Sequence, residues 1–226
     1  SFSYCSSLTS IEFEIPSSLM IIGRESFKKC SSLEQVTIPP SVTGIGSGAF
    51  YKCSSLTHMT ILPSVTEIGN DVFKGCTSLT HISIPFFAIK IMKHILNRIR
   101  VLEITGNMKR IPDSFFKKYI LLNEITIPSS VSSIGNSAFE ECSSLEQIFF
   151  EAPSSLTSIG DNAFYQCTSL VQITIPSSVI SIGNYAFEEC SSLTQITIPS
   201  SVTSIGNNAF EECSSLTQIT IPSSVT

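Results

Sequence analysis

The chain has 226 residues, of which 42% are hydrophobic and 14% charged, and a formal net charge of −5. That is ample for a buried core, and no uninterrupted apolar run approaches the roughly 20 residues of a membrane-spanning helix. The negative balance argues against a nucleic-acid partner.

The first residues, Ser1-Phe2-Ser3-Tyr4-Cys5, lack the basic-then-apolar layout of a signal peptide and read as the middle of a repeat. Anchor phenylalanines then recur at Phe2, Phe27, Phe50, Phe73, Phe116, Phe139, Phe164, Phe187 and Phe210, mostly 23 residues apart. A period of that size marks a solenoid, whose units bury their apolar faces against one another. Counting the long interval after Phe73 as one full and one degraded unit gives about ten coils. The sequence predicts a single solenoid over residues 1–226, with both ends cut within a repeat.

The best-preserved unit shows the layout. Leu216-x-x-Ile219-x-Ile221 alternates like a strand with one buried face. Pro222 ends it, as Pro128, Pro176 and Pro199 do in other copies, and Ser-Ser makes a polar turn. Val202-x-x-Ile205-Gly206 is a second short extended segment, in which the glycine is expected to supply a positive φ. Asn207–Glu212 is expected to form about one helical turn with Asn as its cap. Extra residues at Glu14-Ile15 and Phe150–Ala152 stretch two intervals to 25 and predict bulges or longer turns at strand ends.

Residues 85–105 break the pattern. Ile89, Met92, Leu96 and Ile99 lie at helical spacing, which predicts a short amphipathic helix before the strand pattern resumes at Leu102 and Ile104. Its polar side carries Lys90, Lys93 and Arg98, a candidate basic element for docking a partner or an anionic membrane.

The recurrent Leu-x-x-Ile-x-Ile-Pro-Ser-Ser-Val-x-x-Ile-Gly-x-x-Ala-Phe-x-x-Cys resembles the 23-residue leucine-rich repeat of the BspA-like, or treponemal, type. The resemblance covers nearly the whole chain. It departs at Pro85–Thr105 and at Tyr119, which stands in a cysteine slot. It implies an α/β repeat fold: a curved solenoid with a parallel strand sheet on its concave face, and short extended segments and one-turn helices elsewhere. It also implies an association with surface proteins and adhesion.

All eight cysteines occupy one slot, Phe-x-x-Cys. A repeat-locked slot predicts buried free thiols, and the absence of any Cys-x-x-Cys pair argues against zinc.

Charge is divided along the chain. Residues 1–118 hold all 13 Lys and Arg. The two positions after each anchor Phe carry Lys28-Lys29, Lys52, Lys74 and Lys117-Lys118, then switch to Glu140-Glu141, Glu188-Glu189 and Glu211-Glu212. Stacked coils make these a basic and then an acidic stripe, through which, as through raw solenoid ends, the chain is expected to be able to associate with itself.

Strand alternation places His58, Thr60, His81, Ser83, Val101, Glu103, Glu124, Thr126, Gln147 and Phe149 on one solvent-facing surface. These positions vary, whereas the later pairs repeat as Gln and Thr. They form the candidate partner-binding face, with Phe149 as an aromatic anchor. His58 and His81 fall about 5 Å apart on adjacent strands, but no third ligand accompanies them. No metal, cofactor or catalytic group is expected. The sequence therefore predicts a non-catalytic protein-binding module of a cell-surface or secreted protein, taking a host surface or matrix protein or another protein. The alternative is a cytoplasmic scaffold, which unpaired cysteines would suit.

Overall fold

The repeat folds into stacked coils because each copy presents the same apolar side chains at the same height. The computed structural model spans residues 1–226, and the side chains of Lys90 and Lys93 lie outside the described residues. The chain divides into two compact units, Ser1–Gly106 and Asn107–Thr226. The parallel-strand coils make about eight turns, against about ten expected, with very little helix.

In the first unit, strand Ser10–Ile11 pairs with Gln35–Val36. His58–Thr60, His81–Pro85 and Val101–Thr105 pair side by side, all parallel. A second row joins Ile21–Ile22, Gly44–Ile45 and Glu67–Ile68. In the second unit, Glu124–Ile127 pairs with Gln147–Phe150, and Gln172–Thr174 with Gln195–Thr197. Its second row runs through Arg110–Ile111, Ser133–Ile134, Ser158–Ile159, Ser181–Ile182 and Ser204–Ile205.

Between the rows lie ladders of identical side chains. Phe116, Phe139, Phe164, Phe187 and Phe210 stack with ring centroids 5.1–5.4 Å apart. Phe2, Phe27, Phe50 and Phe73 do the same at 5.4–5.6 Å. Each such pair is worth about 0.5–1.5 kcal/mol beyond the area it buries. The cysteines form a parallel ladder: all but the exposed Cys5 are buried, and none is bridged.

The segment expected to be a helical turn is instead two successive turns. Ala49 N–H donates to Gly46 O and Cys53 N–H to Phe50 O, with Gly48 (φ 64°) and Lys52 (φ 58°) as the third residue of each. Asn208 and Glu212 take the same left-handed backbone at φ 56° and 55°. This geometry points N–H groups at the next coil, as Phe164 N–H to Ala186 O at 2.8 Å shows. A helical turn would aim those donors along its own axis instead of across to the neighbouring coil. The preceding Asx residue is not a cap either. Asp113, Asn136, Asp161 and Asn184 each accept, through Oδ1, the backbone N–H of the equivalent residue one coil later.

The Ile-Gly glycine does not supply the positive φ. Its role is close approach: a Cβ on Gly183 would lie 2.6 Å from Asp161 N, and one on Gly206 2.4 Å from Asn184 N.

The irregular unit forms α1 (Phe86–Ile91) and α2 (Lys93–Leu96). Ile89, Met92, Leu96 and Ile99 are all buried, as their spacing predicts. Strand Val101–Thr105 follows.

Candidate partner-binding face

Strand alternation places the candidate residues in two groups, one on each unit. On the first unit the register sets His58 opposite His81 and Val101, and Thr60 opposite Ser83 and Glu103. The two imidazoles stack with centroids 4.2 Å apart. Each is oriented by the threonine before it: His58 Nδ1 lies 2.8 Å from Thr57 Oγ1 and His81 Nδ1 2.9 Å from Thr80 Oγ1. Among the described residues, no three metal-ligating side chains cluster. His58, Thr60 and Glu103 are exposed and Val101 is half-buried. Ser83 departs from the expectation. It is only 8% exposed, because its small side chain sits between the larger Thr60 and Glu103 in the ladder.

On the second unit Glu124 lies opposite Gln147 and Thr126 opposite Phe149. Glu124 and Thr126 are half-buried, whereas Gln147 is exposed and Phe149 is 47% exposed. The two-residue insertion shapes what lies beside them. Glu151 N–H donates to Ile127 O at 3.0 Å, and the Glu151 carboxylate accepts Ser129 N–H at 3.0 Å. The insertion is thereby folded back on the previous coil and leaves a groove of about 430 Å³ toward the next one. Gln147, Phe149, Phe150, Glu151 and Pro153 line one side, and Gln172, Thr174, Pro176 and Ser177 the other. The sequence points to Gln147 and Phe149, whereas the insertion reads as a bulge or longer turn and Gln172 and Thr174 as repeated strand positions. The signal was present: the 25-residue interval falls on the coil that carries Phe149.

Of the basic element, Lys90 and Lys93 lie outside the described side chains. Arg98 is half-buried and lines a shallow hollow of about 360 Å³ with Asp71, Lys74 and His94.

The charged slot behaves differently in the two units. On the first, Lys28 pairs with Glu25 and Lys74 with Asp71, at 3.0 and 3.3 Å. Lys29 sits over the Tyr4 ring at 4.7 Å and Lys52 over Tyr51 at 5.5 Å. On the second, the sign change is bridged by ion pairs between consecutive coils, Lys117–Glu140 at 2.8 Å and Lys118–Glu141 at 3.3 Å. Burial alone would raise the Glu140 carboxyl, but hydrogen bonds from Lys117 and Ser137 and the lysine charges bring it below its ordinary value. Further along, Glu188 is raised, by partial desolvation and then by Glu211, Glu189 and Glu212.

These stacked rungs of Phe, Cys, Leu and Ile are those of a known repeat class. The family described as the BspA type leucine rich repeat region matches residues 1–118 and 109–226, in 6 copies. The chain belongs to the BspA-type leucine-rich repeat family. A leucine rich cell surface protein from Faecalibacterium prausnitzii A2-165 is similar to it at 30% identity and a TM-score of 0.53, over 96% of this chain and 61% of that one. The leucine rich repeat protein of T. pallidum is similar at 32% identity and a TM-score of 0.52, over 54% of this chain and 59% of that one. The chain thus spans about three fifths of the length of these two relatives. No curated protein matches it. BspA-type repeat proteins are typically protein-binding or surface proteins and generally non-catalytic. Among the described residues, no helix is long and apolar enough to cross a membrane.

Proposed function

We propose that this BspA-type array is the recognition region of a cell-surface or secreted protein. It binds a host surface or matrix protein, or another protein, without catalysis. Contact is made by side chains projecting from the parallel strands, and the groove between Phe149 and Gln172 takes the central anchor. The observation that carries this reading is the placement of Phe149, a large aromatic ring 47% exposed at the mouth of a formed groove of about 430 Å³. Exposed aromatics beside pockets are the residues on which interface energy concentrates. The printed description of the Faecalibacterium relative as a cell surface protein supports the location.

The cytoplasmic alternative drew on unpaired cysteines. That support weakens once seven of the thiols lie buried against carbonyls, because shielded thiols persist in an oxidising compartment as well.

The test is to capture partners on the immobilised chain and titrate each against Phe149→Ala, Gln147→Ala and a Thr197→Ala control. A tenfold or greater loss with Phe149→Ala, about 1.4 kcal/mol, and none with Thr197→Ala is expected. Affinity unchanged by both groove substitutions rejects the site.

A further inference from the structure

We propose that the basic groove of the first unit docks a second copy of this chain, which presents the acidic rungs of its own second unit. The groove, about 580 Å³, is lined by Lys29 and Lys52 together with the hydroxyl residues Ser31 and Ser54. Each ammonium group rests over a tyrosine ring, Lys29 over Tyr4 and Lys52 over Tyr51, a contact that places the cation without neutralising its charge. Among the described residues, neither lysine has a carboxylate at ion-pair distance.

The complementary surface is made by the same slot of the same repeat. Glu189 and Glu212 occupy the position after Phe187 and Phe210 that Lys29 and Lys52 occupy after Phe27 and Phe50. The four residues share one backbone conformation, with φ of 59°, 58°, 56° and 55° for Lys29, Lys52, Glu189 and Glu212. Each pair is locked coil to coil by one backbone hydrogen bond into the next coil, Lys29 N–H to Tyr51 O at 2.7 Å and Glu189 N–H to Glu211 O at 2.9 Å. Two cations and two carboxylates are therefore displayed at the same rung spacing with opposite sign. The acidic member is also pre-oriented: Glu189 accepts the Tyr165 hydroxyl and the Gln166 amide, each at 2.9 Å.

The molecule already makes this contact once. Where a lysine rung meets a glutamate rung, Lys118 and Glu141 close to 3.3 Å. Beyond Lys118 the sequence has no Lys or Arg, so the countercharge for Glu189 and Glu212 has to come from outside that stretch. Charge complementarity of this kind governs encounter and register and is strongly weakened by salt.

Sedimentation velocity of the chain, at about 20 mM and about 500 mM salt, reads the association, since the screening length shrinks severalfold over that range. Self-association at low salt should fall at least tenfold at high salt. Lys29→Glu/Lys52→Glu and Glu189→Lys/Glu212→Lys should each associate at least tenfold more weakly alone, and an equimolar mixture of the two should regain the wild-type level. Both residue types already occupy this slot at the same φ, so the variants are expected to fold, and matching circular dichroism and melting curves check this. A wild-type chain monomeric at low salt overturns the proposal, as does salt-insensitive association or a mixture that fails to recover. Loss confined to the lysine variant overturns it too, because the groove would then serve a different anion.

Discussion

Cys53 Sγ lies 3.1 Å from the carbonyl oxygen of Phe27, one coil earlier. The contact recurs from Cys30 to Cys213 at 3.0–3.2 Å, each thiol donating to the phenylalanine of the preceding coil. The thiol occupies a small apolar space and satisfies a carbonyl lone pair. Burial holds the Cys76 and Cys142 thiols up at about 12.

Two consequences are measurable. A thiol-specific reagent near pH 8 should titrate one group natively, Cys5, and all eight cysteines after denaturation. The folded-state pKa values stand above the unfolded one, so the unfolded chain loses its protons first. The stability tied to these thiols is complete below about pH 9 and is lost as pH rises toward 12. Each such thiol contributes a slope of about 1.4 kcal/mol per pH unit across that window. Urea unfolding at pH 8, 9.5 and 10.5 checks the sign; stability rising over this series would contradict it.

The Ile-Gly glycines predict an asymmetric pair of substitutions. Gly183→Ala drives a Cβ to 2.6 Å of the Asp161 backbone nitrogen, where rigid backbone has to move. Gly23→Ala meets only Ser26 Oγ, at 3.3 Å, a side-chain atom whose exposed hydrogen bond to Gly23 O solvent can replace if it shifts. Overpacking of the first kind costs about 1–3 kcal/mol or more. A melting temperature lowered for Gly183→Ala and nearly unchanged for Gly23→Ala is expected. Equal effects would show that chain conformation, rather than coil contact, selects glycine.

These glycines also show where the sequence was readable and where it was not. The ladder residues, such as Phe164 and Leu170, announce themselves by recurrence, because a stacked core asks every coil for the same side chain at the same height. The conformation of Gly206–Glu212 does not. A helical turn and two consecutive turns place the same residues inside, and they differ in whether the remaining N–H groups run along the turn's own axis or reach across to the next coil. Glycine meets both a left-handed backbone and a close contact, and composition alone cannot separate them. The groove was missed for a related reason. Phe149 and Gln172 line opposite sides of a groove beside the insertion, which Glu151 joins to Ser129 of the preceding coil, a contact with no local sequence signature.

The Asx ladder separates a hydrogen-bond role from a charge role. Asp161 Oδ1 accepts Asn184 N–H at 2.8 Å, and Asn136 and Asn184 do the same work uncharged. Asp161→Ala should cost about 1 kcal/mol, the usual value of such a side-chain acceptor. Asp161→Asn should be close to neutral. Chemical denaturation of both variants measures the difference, and a large loss in Asp161→Asn would assign the ladder to electrostatics.

One carboxylate joins the backbone bonds that hold the wall of the groove. Glu151 accepts Ser129 N–H at 3.0 Å, and Ser155 N–H donates to Ser129 O at 2.9 Å, so the insertion is pinned at both ends to the preceding coil. Removing the acceptor in Glu151→Ala leaves Ser129 N–H to solvent, at a cost of about 0.5–1.5 kcal/mol. The cost is local, because Glu151 is exposed and the Phe ladder is untouched. Hydrogen exchange should therefore quicken at residues 151–155 and at Ser129 with little change in melting temperature. Glu151→Gln keeps an acceptor oxygen and should restore most of the protection. Phe149→Ala should leave exchange in the insertion unaltered, because its ring is a contact offered outward. Protection unchanged in Glu151→Ala would mean that the backbone bonds alone hold the groove open.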